Sequence, residues 1–135
     1  MRGILADVNV EGQLQVLIGI FASEAWRELW TSLKLPVRTV TELGLPRNVC
    51  DVILWQKCQA DELVLVTGNR NQEGAESLEA TIRGFNTSRS LPVFTLSHPK
   101  RIRVSKLYAQ RVAERLLDYL LNIESHRGTG RLDLP

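Results

Sequence analysis

A chain of 135 residues is long enough for one domain with a hydrophobic core that needs no disulfide or metal staples. Its 44% hydrophobic and 24% charged composition is that of an ordinary soluble globular protein, and no repeat, low-complexity tract or linker interrupts it. The net charge of +2 is uneven: residues 1–97 carry 9 basic and 11 acidic side chains, residues 98–135 carry 8 and 4.

No apolar run approaches the ~18 residues of a membrane span. The start "MRGILADVNV" lacks the apolar core and cleavage site of a secretory signal, so cytoplasmic residence is the expectation.

In chain order, Ile4-Leu5-Ala6 is a short apolar run that stops at Asp7, the pattern of a buried strand ending at a polar edge. From Glu11 to Leu33 apolar residues recur at helical spacing (Leu14, Leu17, Ile18, Phe21, then Trp26, Leu29, Trp30, Leu33), and Ser23 is a candidate cap for a second helix. Pro36 ends that section, and Val37 to Val40 reads as the second strand. A turn and a helix follow in "LGLPRNVCDVILWQKCQ", with Asn48 as the expected N-cap. Leu63 to Val66 is the third strand; its unbroken hydrophobicity predicts burial on both faces. Ser77 to Arg83 reads as a short helix, "LPVFTL" as a fourth strand, and Val104 to Ile123 as one long closing helix. The segment 124–135, "ESHRGTGRLDLP", is rich in turn formers and is expected to be a loosely attached tail.

Strands alternating with helices predict right-handed crossovers and a mainly parallel sheet covered on both faces. That arrangement matters for function, because ligands of open α/β folds bind at the C-terminal edge of the strands. Asp7 lies just past the first strand, Gly68-Asn69-Arg70-Asn71 just past the third, and Asp51 in the first turn of the helix after the second. Three distant segments converge on one edge.

Two carboxylates with amide oxygens suit Mg²⁺ or Mn²⁺, hard cations that take oxygen ligands. A metal held there would be able to activate water and clamp a phosphodiester. Each residue also has a structural role open to it. Asp51 can complete a cap three residues after Asn48, and Asn9 can cap the helix beginning near Glu11. Asp7 has no basic neighbour in sequence, which favours ligation. The Thr67–Gly74 loop has turn-forming Asn and Gly but neither a Walker pattern nor a Gly-x-Gly-x-x-Gly. Glu73, Glu76 and Glu79 form either a solvated acidic face or a source of one further ligand.

In "HPKRIRVSK", Lys100, Arg101, Arg103 and Lys106 form a basic cluster suited to phosphates or to a solvated helix entrance. Ser97-His98 reads as a loop, since no nucleophile elbow surrounds it. Trp26, Trp30 and Trp55 fall on helices, as core or interface residues. Cys50 and Cys58 stand eight residues apart in one predicted helix, about 12 Å, too far for a mutual disulfide. With two His and no Cys-x-x-Cys, the pattern argues against zinc.

"ILADVNV", the helix opening "CDVILWQKC" and "ADELVLVTGNRN" together resemble the small bacterial PIN-like proteins typified by DUF5615, over residues 3–97 in order and spacing. The resemblance implies a three-layer α/β/α fold with a mainly parallel four- to five-stranded sheet. It implies one PIN-like domain over 1–123 and a Mg²⁺- or Mn²⁺-dependent ribonuclease, in many such proteins the toxin of a toxin–antitoxin pair. Asp7 and Asp51 match two metal-binding acids, and Asn9 the Asn that closes the first motif. The chain departs from the pattern at Val8, where the family has Glu, and at Asn69 and Asn71, which stand for two Asp. Two lost charges weaken divalent binding unless Glu73 or Glu76 supplies a carboxylate. The expectation is therefore a ribonuclease whose metal is held by Asp7, Asp51 and Asn69, with Asn71, Glu73 and Glu76 completing the site. Arg70, Lys100, Arg101 and Arg103 would contact RNA phosphates. One alternative is a catalytically silent PIN-like module that binds RNA or a protein partner such as an antitoxin, and another is a small-molecule or nucleotide-binding α/β domain. A homodimer through the last helix is a further expectation.

Overall fold

The first apolar run becomes β1 (Gly3–Ala6), and the chain then turns through a short 3-10 segment, Val8–Val10, into α1 (Glu11–Phe21). The computed structural model describes residues 1–68 and 77–135. Next come α2 (Arg27–Leu33), β2 (Val37–Thr39), α3 (Asp51–Ala60) and β3 (Leu63–Thr67). After them follow α4 (Leu78–Phe85), β4 (Val93–Leu96), α5 (Pro99–Val104), α6 (Lys106–Leu121) and β5 (Arg131–Leu134).

The five strands form one sheet in the order β2-β1-β3-β4-β5, and every pairing is parallel. Strand alternation divides the core in two. Ile4, Ala6, Val64, Val66, Phe94 and Leu96 face the layer of α1, α5 and α6. Leu5, Leu63, Leu65 and Val93 face α3 and α4, through Leu54, Trp55, Cys58, Leu78 and Ile82. This is the expected three-layer α/β/α architecture with a parallel sheet. The helices bury stripes at three- and four-residue spacing: Leu14, Leu17 and Phe21 in α1, and Val112, Leu116 and Leu120 in α6. The apolar face of α6 thus lies in the core under the sheet. Among the described residues, no helix is long and apolar enough to cross a membrane.

Four local expectations are corrected. The segment 124–135 is not loose: after a 3-10 turn at Ile123–His126 it supplies β5, whose Leu132 pairs with Phe94 and whose Leu134 is fully buried. Arg127 fastens it from one end, pairing with Glu124 (2.5 Å) and Glu62 (3.4 Å) and donating to the Arg89 carbonyl (2.7 Å). The closing helix is two helices, because Ser105 is extended and its hydroxyl accepts the Tyr108 N–H, starting α6 afresh. Asn48 does not cap α3; extended Cys50 holds the N-cap position, and Val49 is tied into a turn with the Pro46 carbonyl. Ser23 does not cap α2, which begins after Trp26; the Ser23 carbonyl, rather than its hydroxyl, accepts the Trp26 and Arg27 N–H groups.

The aromatic residues are structural. Trp26 and Trp30 flank Phe21 at 6.1 and 4.7 Å between ring centroids, and Trp55 is buried against α4 with Phe85.

Candidate functional site

The order β2-β1-β3 means that successive crossovers leave β1 in opposite directions, so the chain parts at the C-terminal ends of β1 and β3. Crevices of open α/β sheets form at such a switch point. Asp7 stands at that point. Its backbone N–H continues the ladder by donating to the Val66 carbonyl (2.9 Å), and its carbonyl accepts the Val10 N–H (3.0 Å).

The alternation that puts Leu5 on the α3 side also puts Asp7 there, beside Thr67 of β3. One carboxylate oxygen accepts the Val8 N–H and caps the 3-10 turn; the other accepts the Thr67 hydroxyl, both at 2.7 Å. Each oxygen therefore keeps lone-pair capacity. Among the described residues, no cationic side chain pairs with this half-buried carboxylate.

Asp51 is the first residue of α3 and half-buried. The helix crosses back from the end of β2 to the start of β3, so its first turn belongs to the same sheet edge. Asp51 shares the inward face of α3 with Leu54, Trp55 and Cys58, at i, i+3, i+4 and i+7. Burial pushes the Cys58 thiol up to about 12, with the Asp7 and Asp61 carboxylates adding to the shift. Negative charge from Asp7 is thus felt within the α3 layer.

Asn9 does not cap α1, whose N-cap is Val10 without a side-chain bond. Instead its Oδ1 accepts the Gly68 N–H at 3.5 Å, a long bond joining the segments after β1 and β3. The topology places Asp7, Asn9 and the first turn of α3, with Asp51, at the same edge of the sheet. Asn69, Arg70, Asn71, Glu73 and Glu76 lie outside the described residues. Among the described residues, no group of three His, Cys, Asp or Glu could hold a metal ion. The donor set there is a pair of carboxylates with amide and hydroxyl oxygens, chemistry that suits Mg²⁺ or Mn²⁺ rather than zinc.

On the other face of the sheet, the ends of β3 and β4 open into a cleft of about 480 Å³. Lys100 and Arg101 line it; Arg103 does not. A Cβ on Gly12 would lie 2.6 Å from Arg103 Nη1, so that guanidinium rests on the first turn of α1. Thr67 as the partner of Asp7, and Ser97 and His98 at the cleft, went unrecognised in the sequence. The signal available was position: Thr67 ends β3 and Ser97-His98 follows β4, both at the edge already identified. A second cleft of equal volume lies at the opposite end of the sheet, where Arg127 neutralises Glu62 and Glu124.

Compared with known proteins, the chain matches no family model, no curated protein and no solved structure.

Proposed function

We propose that this domain is a divalent-metal-dependent ribonuclease of the PIN-like type, with Asp7 and Asp51 holding Mg²⁺ or Mn²⁺. The observation that carries the reading is Asp7: a half-buried carboxylate at the β1/β3 switch point, with unused lone pairs and no cationic partner among the described residues. A half-buried carboxylate whose partners are neutral donors still has charge and lone pairs to offer a bound cation.

The metal, when bound, supplies Lewis-acid activation of water and charge neutralisation at a phosphodiester. The chain's own part is orientation. Val8 N–H and the Thr67 hydroxyl fix the carboxylate plane, so Asp7 presents its remaining lone pairs in one direction. Lys100 and Arg101 line the cleft on the other face of the same sheet edge and would provide positive charge for the RNA backbone. Asn69, with Asn71, Glu73 and Glu76, enters this reading from the sequence alone.

A second reading has its own support. With only two described carboxylates and with Asn at 69 and 71, the charge for water activation is low, which favours a silent module that binds RNA or a protein partner. Manganese calorimetry with an RNA cleavage assay separates the two. The ribonuclease reading expects Mn²⁺ binding and cleavage, both lost in Asp7→Asn. RNA binding without turnover in any divalent metal leaves the silent module.

A further inference from the structure

The cleft at the ends of β3 and β4 has a division of chemistry that bare phosphate binding does not require. Its inner wall is apolar, made by buried Val10 of the 3-10 turn and by Pro99 at the start of α5. Gly68 lies between them: a Cβ there would stand 3.3 Å from both Val10 Cγ1 and Pro99 Cγ, so a side chain at 68 would crowd the slot. Two amides border this wall. Asn9 has its oxygen on the Gly68 N–H, and among the described residues neither its NH₂ nor the Gln13 amide has a hydrogen-bond partner.

The rim is cationic. Among the described residues, Lys100 and Arg101 are exposed and form no ion pair, and no carboxylate lines the cleft. Arg101 is also held in place, with its guanidinium 4.4 Å from the centroid of the buried Tyr108 ring. The exposed His98 ring lies edge-on to that tyrosine at 6.3 Å and adds a flat surface to the opening.

An apolar slot with amide edges fits a flat heteroaromatic ring that carries donors and acceptors on its rim. Two cations beside it, unpaired among the described residues, fit a phosphate. The volume falls in the ~300–1,000 Å³ range of small-ligand sites. We infer that this cleft is a nucleotide subsite: it takes one nucleotide of an RNA strand, with the base in the slot between Val10 and Pro99, read by Gln13 and Asn9, and the phosphate on Lys100 and Arg101. The slot's chemistry stands independently of the metal; only the assignment to an RNA strand rests on the ribonuclease reading.

The test is calorimetric titration of the intact protein in EDTA with uridine 5′-monophosphate and adenosine 5′-monophosphate, beside inorganic phosphate and the two nucleosides. At least one mononucleotide should bind more tightly than both phosphate and its own nucleoside. Lys100→Ala should weaken it roughly tenfold, the loss of one charge-assisted contact. Gln13→Ala should alter the preference between the two bases while leaving phosphate binding unchanged. Both residues are at the surface of formed helices, and far-ultraviolet circular dichroism checks that each variant folds. Nucleotides that bind no better than inorganic phosphate, or a base preference indifferent to Gln13→Ala, overturn the base slot.

A short single-stranded RNA should displace the mononucleotide; if it does not, the occupant is free nucleotide and the strand assignment falls. Asp7→Asn separates the two proposals. Nucleotide binding in EDTA that survives this substitution upholds the cleft even where Mn²⁺ fails to bind. Manganese binding without nucleotide binding upholds the metal site and removes the cleft.

Discussion

Asp7→Asn distinguishes a structural carboxylate from a metal ligand, because the two roles leave different thermodynamic traces. The substitution keeps one oxygen, which can still cap the Val8 N–H, and presents an NH₂ to the Thr67 hydroxyl in place of the second oxygen. The bond from Thr67 loses its charge assistance and must reverse its polarity. That costs about 1 kcal/mol, a fall in Tm of about 3–5 °C for a domain of this size. Asp7→Ala loses both bonds and should cost about 2–4 kcal/mol.

Metal binding adds a separate increment. An ion that binds only the native state at a hundred times its Kd stabilises by about 2.7 kcal/mol, more than the whole cost of the Asn variant. Thermal melts of wild type and Asp7→Asn, each in EDTA and in MnCl₂, read the two quantities separately. In EDTA the variant should melt a few degrees lower; in MnCl₂ the gap should widen because only wild type gains. An equal manganese-induced rise in both proteins would refute the assignment of Asp7 as a ligand.

Other outcomes follow from the same geometry. Cys58 should resist thiol reagents in the native protein at pH 8 while exposed Cys50 reacts, giving one modified thiol by mass spectrometry until denaturant is added. The raised Cys58 value also sets a pH dependence. Between about 9.0 and 12 the folded state keeps a proton that the unfolded state releases, so stability is full below pH 9 and falls as pH rises, by up to ~1.4 kcal/mol per pH unit. Urea melts of Cys58→Ser, corrected for its lost packing, should lack that component. Arg127→Ala should cost about 1–3 kcal/mol and speed hydrogen exchange first in β5; uniform acceleration through the sheet would contradict the clamp. Replacing Lys100 and Arg101 together by Ala should reduce the salt slope of RNA binding by about 1.4, or ~0.7 per phosphate contact on a single strand. Arg103→Ala should change it less, because that guanidinium lies over Gly12. An unchanged slope in the double variant rejects the phosphate role.

How far the sequence reveals this molecule depends on which interactions are local. β1 and β3 are legible because both are short unbroken apolar runs, and strand–helix alternation is enough to bring Asp7 and Asp51 to one edge. β5 was obscured by its neighbours. "RLDL" has the alternation of a half-buried strand, yet four residues among glycines and polar groups carry little signal, and its partner lies over thirty residues earlier. Ser105 shows the same limit at a helix end. A serine inside an amphipathic pattern fits a helix interior or a new N-cap equally well, and packing of the short α5 against α1 decides for the cap. Asn48 misled for a related reason, since its capping propensity counts only if the following residues turn helical at once; here Val49 and Cys50 intervene. The pairing of Asp7 with Thr67 and the Val10–Pro99 slot depend on strand register and layer, and neither can be read from spacing along the chain.

The bond between Asp7 and Thr67 spans sixty positions of the chain and closes only when β1 and β3 lie in register. Neither strand can detach locally and leave the carboxylate correctly aimed, so losing the site and losing the centre of the sheet are one event. A ligand held by Asp7 should therefore slow exchange of the most protected amides, those that open only on global unfolding, and leave the fraying helix ends almost unchanged. Occupancy of the site would then be recorded across the whole molecule, as a longer lifetime of the native state against proteolysis.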